Sequence, residues 1–259
     1  MSNVQPTVNG SNYWVPILGS AIRILEVFFD SESELTLHEI STKAKVGKTS
    51  AFRILYTLDK LGYVEKDPFG GKYRLGLRII AAARKTVAGG NLVQAARAHL
   101  KKLRDEFNET INLAVLRNDE IVYLEILESP YPFRMTETVG ARIPWHSTAL
   151  GKSIAAYLPE ERVRRILKQS PLKRFTPNTI TSMREYMEGL KSVGDQGFSF
   201  DVEESELGAT CVAAPIFDAD HAVIGALSIS GASPRIRDKQ NKVAQALKNA
   251  AAAISRSLQ

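Results

Sequence analysis

Residues 36–75 read TLHEISTKAKVGKTSAFRILYTLDKLGYVEKDPFGGKYRL. Thr36 and Glu39 have the spacing of a capping box, so a short helix is expected to run to Ala44 and to end at Val46-Gly47. From Lys48 onward Ala51, Ile54, Leu55, Leu58 and Leu61 recur at intervals of three and four, the period of a second and longer helix. Next, Tyr63–Lys66 and Lys72–Leu75 flank the turn-forming Asp67-Pro68-Phe69-Gly70-Gly71, which predicts a hairpin. Helix, short glycine turn, helix and hairpin, in that order, make a helix-turn-helix with a wing.

The helix face opposite Ile54, Leu55 and Leu58 shows Lys48, Thr49, Ser50, Phe52, Arg53 and Tyr56. Hydroxyls reach phosphates or base edges, Arg53 has the fork geometry for a guanine, and Phe52 can meet a thymine methyl. Taken alone, Arg53 reads more readily as a solvated residue or as a partner of Asp59 or Glu39; the surrounding motif reverses this in favour of DNA. Lys72 and Arg74 in the wing are expected to meet phosphates. Upstream, Ser20 reads as the N-cap of a first helix carrying Ala21, Ile22, Ile24, Leu25, Phe28 and Phe29. Residues 1–16 read as a loose arm.

Charge divides along the chain. Residues 1–104 hold 16 Lys/Arg against 8 Asp/Glu, and the remainder holds 18 against 20, so the net +6 arises entirely in the N-terminal part. This suits a part that meets a polyanion. The span 76–104 holds seven Lys/Arg and no acid. It predicts helices over Leu77–Thr86 and Leu92–Phe107 that either help hold phosphates or link two domains. The expected division is 17–76 for the winged domain, 77–107 for linker helices and 108–259 for a second domain.

In that second domain strands are expected at Ile111–Leu116, Glu120–Leu127, Phe133–Thr136, Phe198–Asp201, Cys211–Phe217 and Val223–Ser230. Helices are expected at Ser147–Tyr157, Glu160–Gln169, Ser182–Gln196 and Asp238–Ser257. Hairpin-linked strands with segregated helices argue an α+β fold around a mainly antiparallel sheet.

The 259 residues are 44% hydrophobic and 24% charged, which excludes a disordered or collagen-like chain. One cysteine, Cys211, forms no internal disulfide, and no Cys/His spacing suits a metal or other cofactor. No apolar run approaches the roughly 18 residues that span a bilayer, and no signal peptide is evident, so the cytoplasm is the expected address. Gly151-Lys152-Ser153 and Gly47-Lys48-Thr49 resemble the end of a phosphate-binding loop. Its first glycine, however, is replaced by His146 and Thr42. No G-x-S-x-G occurs, and the four histidines are scattered. His146 reads more readily as a packing residue than as a catalyst.

The chain resembles the IclR family of bacterial transcription regulators. The resemblance is carried by Ser20–Leu25, Lys48–Leu55, Gly71–Gly76, Val139–Pro144, His146–Lys152, Phe175–Ile180, Gly197–Glu204 and Cys211–Ile216. It implies a winged helix-turn-helix domain, a linker helix and a GAF-like domain that binds a small organic acid. The implied partners are operator DNA and further copies of the chain, as a homodimer or dimer of dimers, and no membrane.

By position in the family, the ligand would meet Asp201, Cys211, Ser228, Ser230 and the backbone N–H groups of Ala149 and Leu150, with Met135, Ile143 and Ala209 as apolar wall. Physics agrees in part: Ser228 and Ser230 share one strand face, and a helix start offers donors to an anion. The bulky Leu150 leaves a larger acid open. Plainer readings are a buried Cys211, cross-strand bonding of the serines, and a turn or ion-pair role for Asp201. An enzyme retaining such a pocket is the competing class. It would need Cys211 as nucleophile beside Asp201, and it leaves the N-terminal motif unexplained.

Overall fold

A computed structural model describes residues 14–29, 31, 34–79 and 91–258. The chain forms two compact units, residues 1–89 and 90–259.

In the first unit α1 (Pro16–Glu26) begins one turn earlier than expected. Pro16 supplies the preset φ that favours a first helical position. Ser20 lies inside the helix and bonds back to the Pro16 carbonyl (3.1 Å) rather than capping. Helix α2 (Leu37–Ala44) carries the full capping box between Thr36 and Glu39. It ends with Lys45 in the left-handed region at φ 53°. Helix α3 (Lys48–Lys60) follows after Gly47. Strands β1 (Val64–Lys66) and β2 (Tyr73–Leu75) pair antiparallel as the wing. The Asp59 carboxylate accepts from the Lys66 N–H (3.1 Å), which ties the end of α3 to the wing. Ile24, Phe28, Ile40, Ala51, Ile54, Leu55, Val64 and Tyr73 form the core of the unit. Leu61, expected on the buried face, is exposed just beyond the helix end. Most of the expected helix Leu77–Thr86 lies outside the described residues.

The second unit is built on a five-stranded antiparallel sheet in the order β4-β3-β7-β6-β5. Its strands are β3 (Thr110–Arg117), β4 (Glu120–Leu127), β5 (Ser199–Val202), β6 (Ala209–Phe217) and β7 (Val223–Ala232). Strand alternation sends Ile111, Leu113, Val212, Ala214, Leu227 and Ile229 to one face. There they pack against α4 (Asn91–Phe107) and α9 (Gln240–Ser257). The expectation that α4 is linker is therefore corrected: Leu92, Ala96, Leu100, Leu103 and Phe107 belong to the core of the second unit.

The other sheet face meets α5 (Ala149–Ala155), α6 (Glu160–Gln169) and α7 (Met183–Gln196) through Ala114, Ala213, Ala226, Ile154, Val163 and Tyr186. A short α8 (Ser233–Arg237), which sequence patterning missed, carries Pro234 in its first turn and joins β7 to α9. No strand forms at Phe133–Thr136; the outer edge of β4 carries instead an isolated bridge from Val122 to Arg142. Phe133 instead stands exposed in a loop.

Candidate functional sites

On the first unit, Lys48, Thr49, Ser50, Phe52, Arg53 and Tyr56 all lie on the exposed side of α3, while Ala51, Ile54 and Leu55 are buried. Arg53 pairs with neither Asp59 nor Glu39. Asp59 holds the Lys66 N–H, and Glu39 is taken up by its capping box. Phe52, Arg53, Tyr56 and Thr57 border an open hollow on this face, with the Lys60 ammonium 5.4 Å from the Tyr56 ring centre. In the wing Lys72 is exposed. Arg74 is exposed too, but its guanidinium lies 2.9 Å from Glu65 and 3.5 Å from Glu34, so a phosphate would have to compete with two carboxylates.

On the second unit the strand register explains the candidate cavity. Asp201 on β5 pairs with Cys211 on β6, which pairs with Ser230 on β7, so three polar side chains lie in one row across the sheet. Two residues along, Ser228 pairs with Ala213 on one side and Asn112 on the other. Above this floor Thr148 caps α5. Its hydroxyl oxygen accepts from the Gly151 N–H (3.0 Å) and its carbonyl from the Lys152 N–H (3.1 Å). The Ala149 and Leu150 N–H groups remain at the open start of the helix.

A cavity of about 40 Å³ is lined by Met135, Ala149, Leu150, Asp201, Ala209, Cys211, Ser228 and Ser230, together with Tyr123, Glu137, Thr148 and Ser205. Ile143 does not reach it. It is buried in the apolar cluster beside Ile121, whose carbonyl accepts its N–H at 2.8 Å.

Sequence reasoning also missed Asn112. Only 1% exposed, it donates from Nδ2 to the hydroxyls of Ser228 and Ser230, both at 3.1 Å. The cross-strand role of the two serines is thus real: their oxygens accept from Asn112, which leaves each hydroxyl a proton to donate, and Ser230 also bonds with the Cys211 thiol. The signal in sequence was a lone asparagine between Ile111 and Leu113, at a position facing the same way as the serines. Glu137 and Ser205 lie in loops and left no periodic signal.

Asp201 has the turn role among its plain readings: one carboxylate oxygen accepts from the Glu204 N–H (2.8 Å) and the Ser205 N–H (3.3 Å). Burial nevertheless pushes its carboxyl above the usual range, against those bonds and the positive Lys152. Lys152 pairs with the buried Glu204 rather than with Asp201 and also donates to the Phe200 carbonyl (3.0 Å). Burial first, and then the Asp201 charge, push the Cys211 thiol well up, which is the opposite of what a nucleophile needs. His146 donates from Nε2 to the Lys173 carbonyl (2.8 Å) and stacks on Phe175, so it is a packing residue. No group of three or more His, Cys, Asp or Glu among the described residues could hold a metal ion.

A model of the bacterial transcriptional regulator IclR C-terminal domain matches residues 84–256, and one of the IclR helix-turn-helix domain matches residues 19–68. The chain belongs to the IclR family of bacterial transcription regulators. Among IclR relatives, the HTH-type transcriptional regulator XynR of Escherichia coli is 33% identical, over 94% of this chain and 98% of its own length. The IclR of Thermotoga maritima superposes with a TM-score of 0.81 at 30% identity, covering 94% of this chain and 98% of that one. An IclR homolog from Microbacterium hydrocarbonoxydans, solved in complex with 4-hydroxybenzoate, superposes with a TM-score of 0.81 at 26% identity, over 93% and 98%. The protein is accordingly a DNA-binding transcription regulator and not an enzyme. Among the described residues no helix is long and apolar enough to cross a membrane.

Proposed function

We propose that this IclR regulator binds operator DNA through α3 and the wing, and that a small organic acid held in the second unit modulates that binding. The observation that carries the effector half is that Asp201, Cys211, Ser228 and Ser230 line one cavity together with Ala149 and Leu150, the first two residues of α5. The donors at the helix start and the two serine hydroxyls suit a carboxylate and further ligand oxygens. Asp201 and Glu137 disfavour a second carboxylate and favour ligand hydroxyls. A hydroxy-, keto- or sugar acid fits this polarity better than a plain diacid. The relative bound to 4-hydroxybenzoate supports an acid as the class of ligand.

The regulator works in the cytoplasm as a homodimer or a dimer of dimers. Ile17, Leu18 and Ile22 leave an exposed apolar stripe on α1 that a second copy of the first unit would cover. Two copies of α3 related by a two-fold axis then read half-sites about one helical turn apart, and the operator is a pseudo-palindrome.

The test is fluorescence anisotropy on a duplex recovered from a randomised library by the wild-type protein, and on its scrambled version. Arg53→Ala is expected to cost about 1–3 kcal/mol on the selected duplex and to narrow the gap between the two, because a bidentate base contact is lost. Lys72→Ala is expected to weaken both alike. Equal losses on both duplexes for Arg53→Ala would reduce Arg53 to a phosphate contact. A panel of hydroxy-, keto- and sugar acids is expected to shift the wild-type binding curve, and a curve indifferent to all of them would remove the effector half of the reading.

A further inference from the structure

Phe69 is 98% exposed, more than any other large apolar side chain among the described residues. It stands at the tip of the wing, and the tip is built to hold it there. The Asp67 carboxylate accepts from the N–H groups of Phe69 (3.3 Å) and Gly70. The Gly71 N–H donates to the Asp67 carbonyl (3.2 Å), and the Asp67 N–H donates to the carbonyl of Lys72 (2.8 Å). A side chain at residue 70 would displace that carboxylate from its bonds, since its Cβ would lie 2.5 Å from Asp67 Oδ2. Gly71 takes φ +64°, a region that favours glycine. These contacts order the loop and leave the ring of Phe69 with no role in the core of the unit.

Two lysines bracket Phe69 along the hairpin. Lys66 and Lys72 are exposed at the ends of the two wing strands and form no ion pair among the described residues. The Asp67 charge between them is spent on backbone N–H groups. The Lys66 ammonium lies 5.8 Å from the Tyr73 ring centre and stays open to solvent. An exposed apolar ring on a hairpin that carries an exposed lysine on each arm matches a nucleic-acid groove, which has phosphate walls and apolar base faces. It matches an apolar protein pocket less well, because that pocket would leave the lysines unanswered.

We propose that Phe69 is inserted by the wing between two base pairs from the minor groove, unstacking that step and bending the operator. This rests on the reading of the first unit as the DNA-binding part. Unstacking costs least at pyrimidine–purine steps, so Phe69 contributes a preference for a TA or CA/TG step at a fixed distance outside the half-site read by α3.

The experiment uses the full-length protein and the library-selected duplex, with 2-aminopurine placed at successive steps outside each half-site and a donor–acceptor dye pair on its ends. Wild type is expected to raise 2-aminopurine fluorescence at one step per half-site and to shorten the end-to-end distance. Phe69→Ala is expected to lose both signals and about tenfold in affinity, with an unchanged melting temperature because nothing packs on the ring. Phe69→Leu is expected to keep part of the bend. Unchanged fluorescence and bend in Phe69→Ala, or no unstacking by wild type, would overturn the wedge while leaving DNA binding intact. A change in the sedimentation of the free protein in Phe69→Ala would overturn it in favour of a protein contact. Failure of wild type to recover any duplex would instead sink the DNA reading itself.

Discussion

Asp201 is 3% exposed, and burial raises its pKa above the usual 3.8, so its charge is a cost to the folded state. The folded protein holds this proton more tightly than the unfolded chain does. The stability tied to it is present in full below the unfolded value and is lost as pH rises through the folded one. Asp201→Asn keeps an oxygen for the N–H groups of Glu204 and Ser205 and removes the charge. Its melting temperature is expected to match wild type near pH 4 and to exceed it increasingly toward pH 7; a constant offset across that range would mean that the charge is not what is penalised.

Ser230→Ala tests the ligand instead. The acid selected in the panel is expected to lose its thermal stabilisation of this variant, with one unmade hydrogen bond worth about 1–3 kcal/mol, while binding to DNA without ligand survives. Full stabilisation of Ser230→Ala would place the acid elsewhere. Asp201, Cys211, Ser228 and Ser230 were legible from sequence through the resemblance, and their common face follows from alternation. Asn112 was not, because its role depends on which strand lies beside β7.

At the scale of elements, helix α5 is seated by a glycine. A Cβ on Gly151 would lie 2.3 Å from the Trp145 carbonyl oxygen and 2.6 Å from that of Pro144, both backbone atoms with little room to yield. Gly151→Ala is expected to cost about 1–3 kcal/mol and to displace the start of α5, where Ala149 and Leu150 line the cavity, so that the acid-induced shift falls further than the stability does. Gly189→Ala in α7 is the control. Nothing lies within 4 Å of its Cβ position, and the change is expected to stabilise by about 0.5–1 kcal/mol. Both are read by urea melts with and without the acid, and a neutral Gly151→Ala would show that the chain at 144–145 can move aside. The elements themselves were largely legible, α6 and β4 to the residue. The failures at Ser20 and Phe133–Thr136 both come from local pattern: Pro16 starts the first helix earlier, and the outer edge of β4 is bridged by Arg142 rather than by residues 133–136.

For the whole molecule, the placement of α4 makes a division testable. A fragment of residues 90–259 keeps the α4–sheet–α9 core and is expected to unfold in one cooperative transition, to retain the acid-induced thermal shift and to bind no DNA. A fragment of residues 108–259 would strip Leu100, Leu103 and their neighbours from the sheet face and is expected to aggregate. A well-folded 108–259 fragment would restore α4 to the role of linker.

The sequence by itself determined what short-range rules encode. The capping box, the three-and-four spacing of α3, the turn chemistry of the wing and the alternation of the strands each depend on neighbours a few residues away. The excess of positive charge in the N-terminal part, and with it the expectation of DNA, is a property of composition and needs no fold. What only the tertiary structure decided depends on partners distant in the chain. These are the burial of α4 against strands that follow it, the donation of Asn112 to serines more than a hundred residues later, the pairing of Lys152 with Glu204, and the absence of Ile143 from the cavity that Tyr123 and Glu137 help to line. Local pattern says which side of a strand or helix is apolar. Which other surface covers it is a matter of strand order, and strand order is set only when the whole sheet closes.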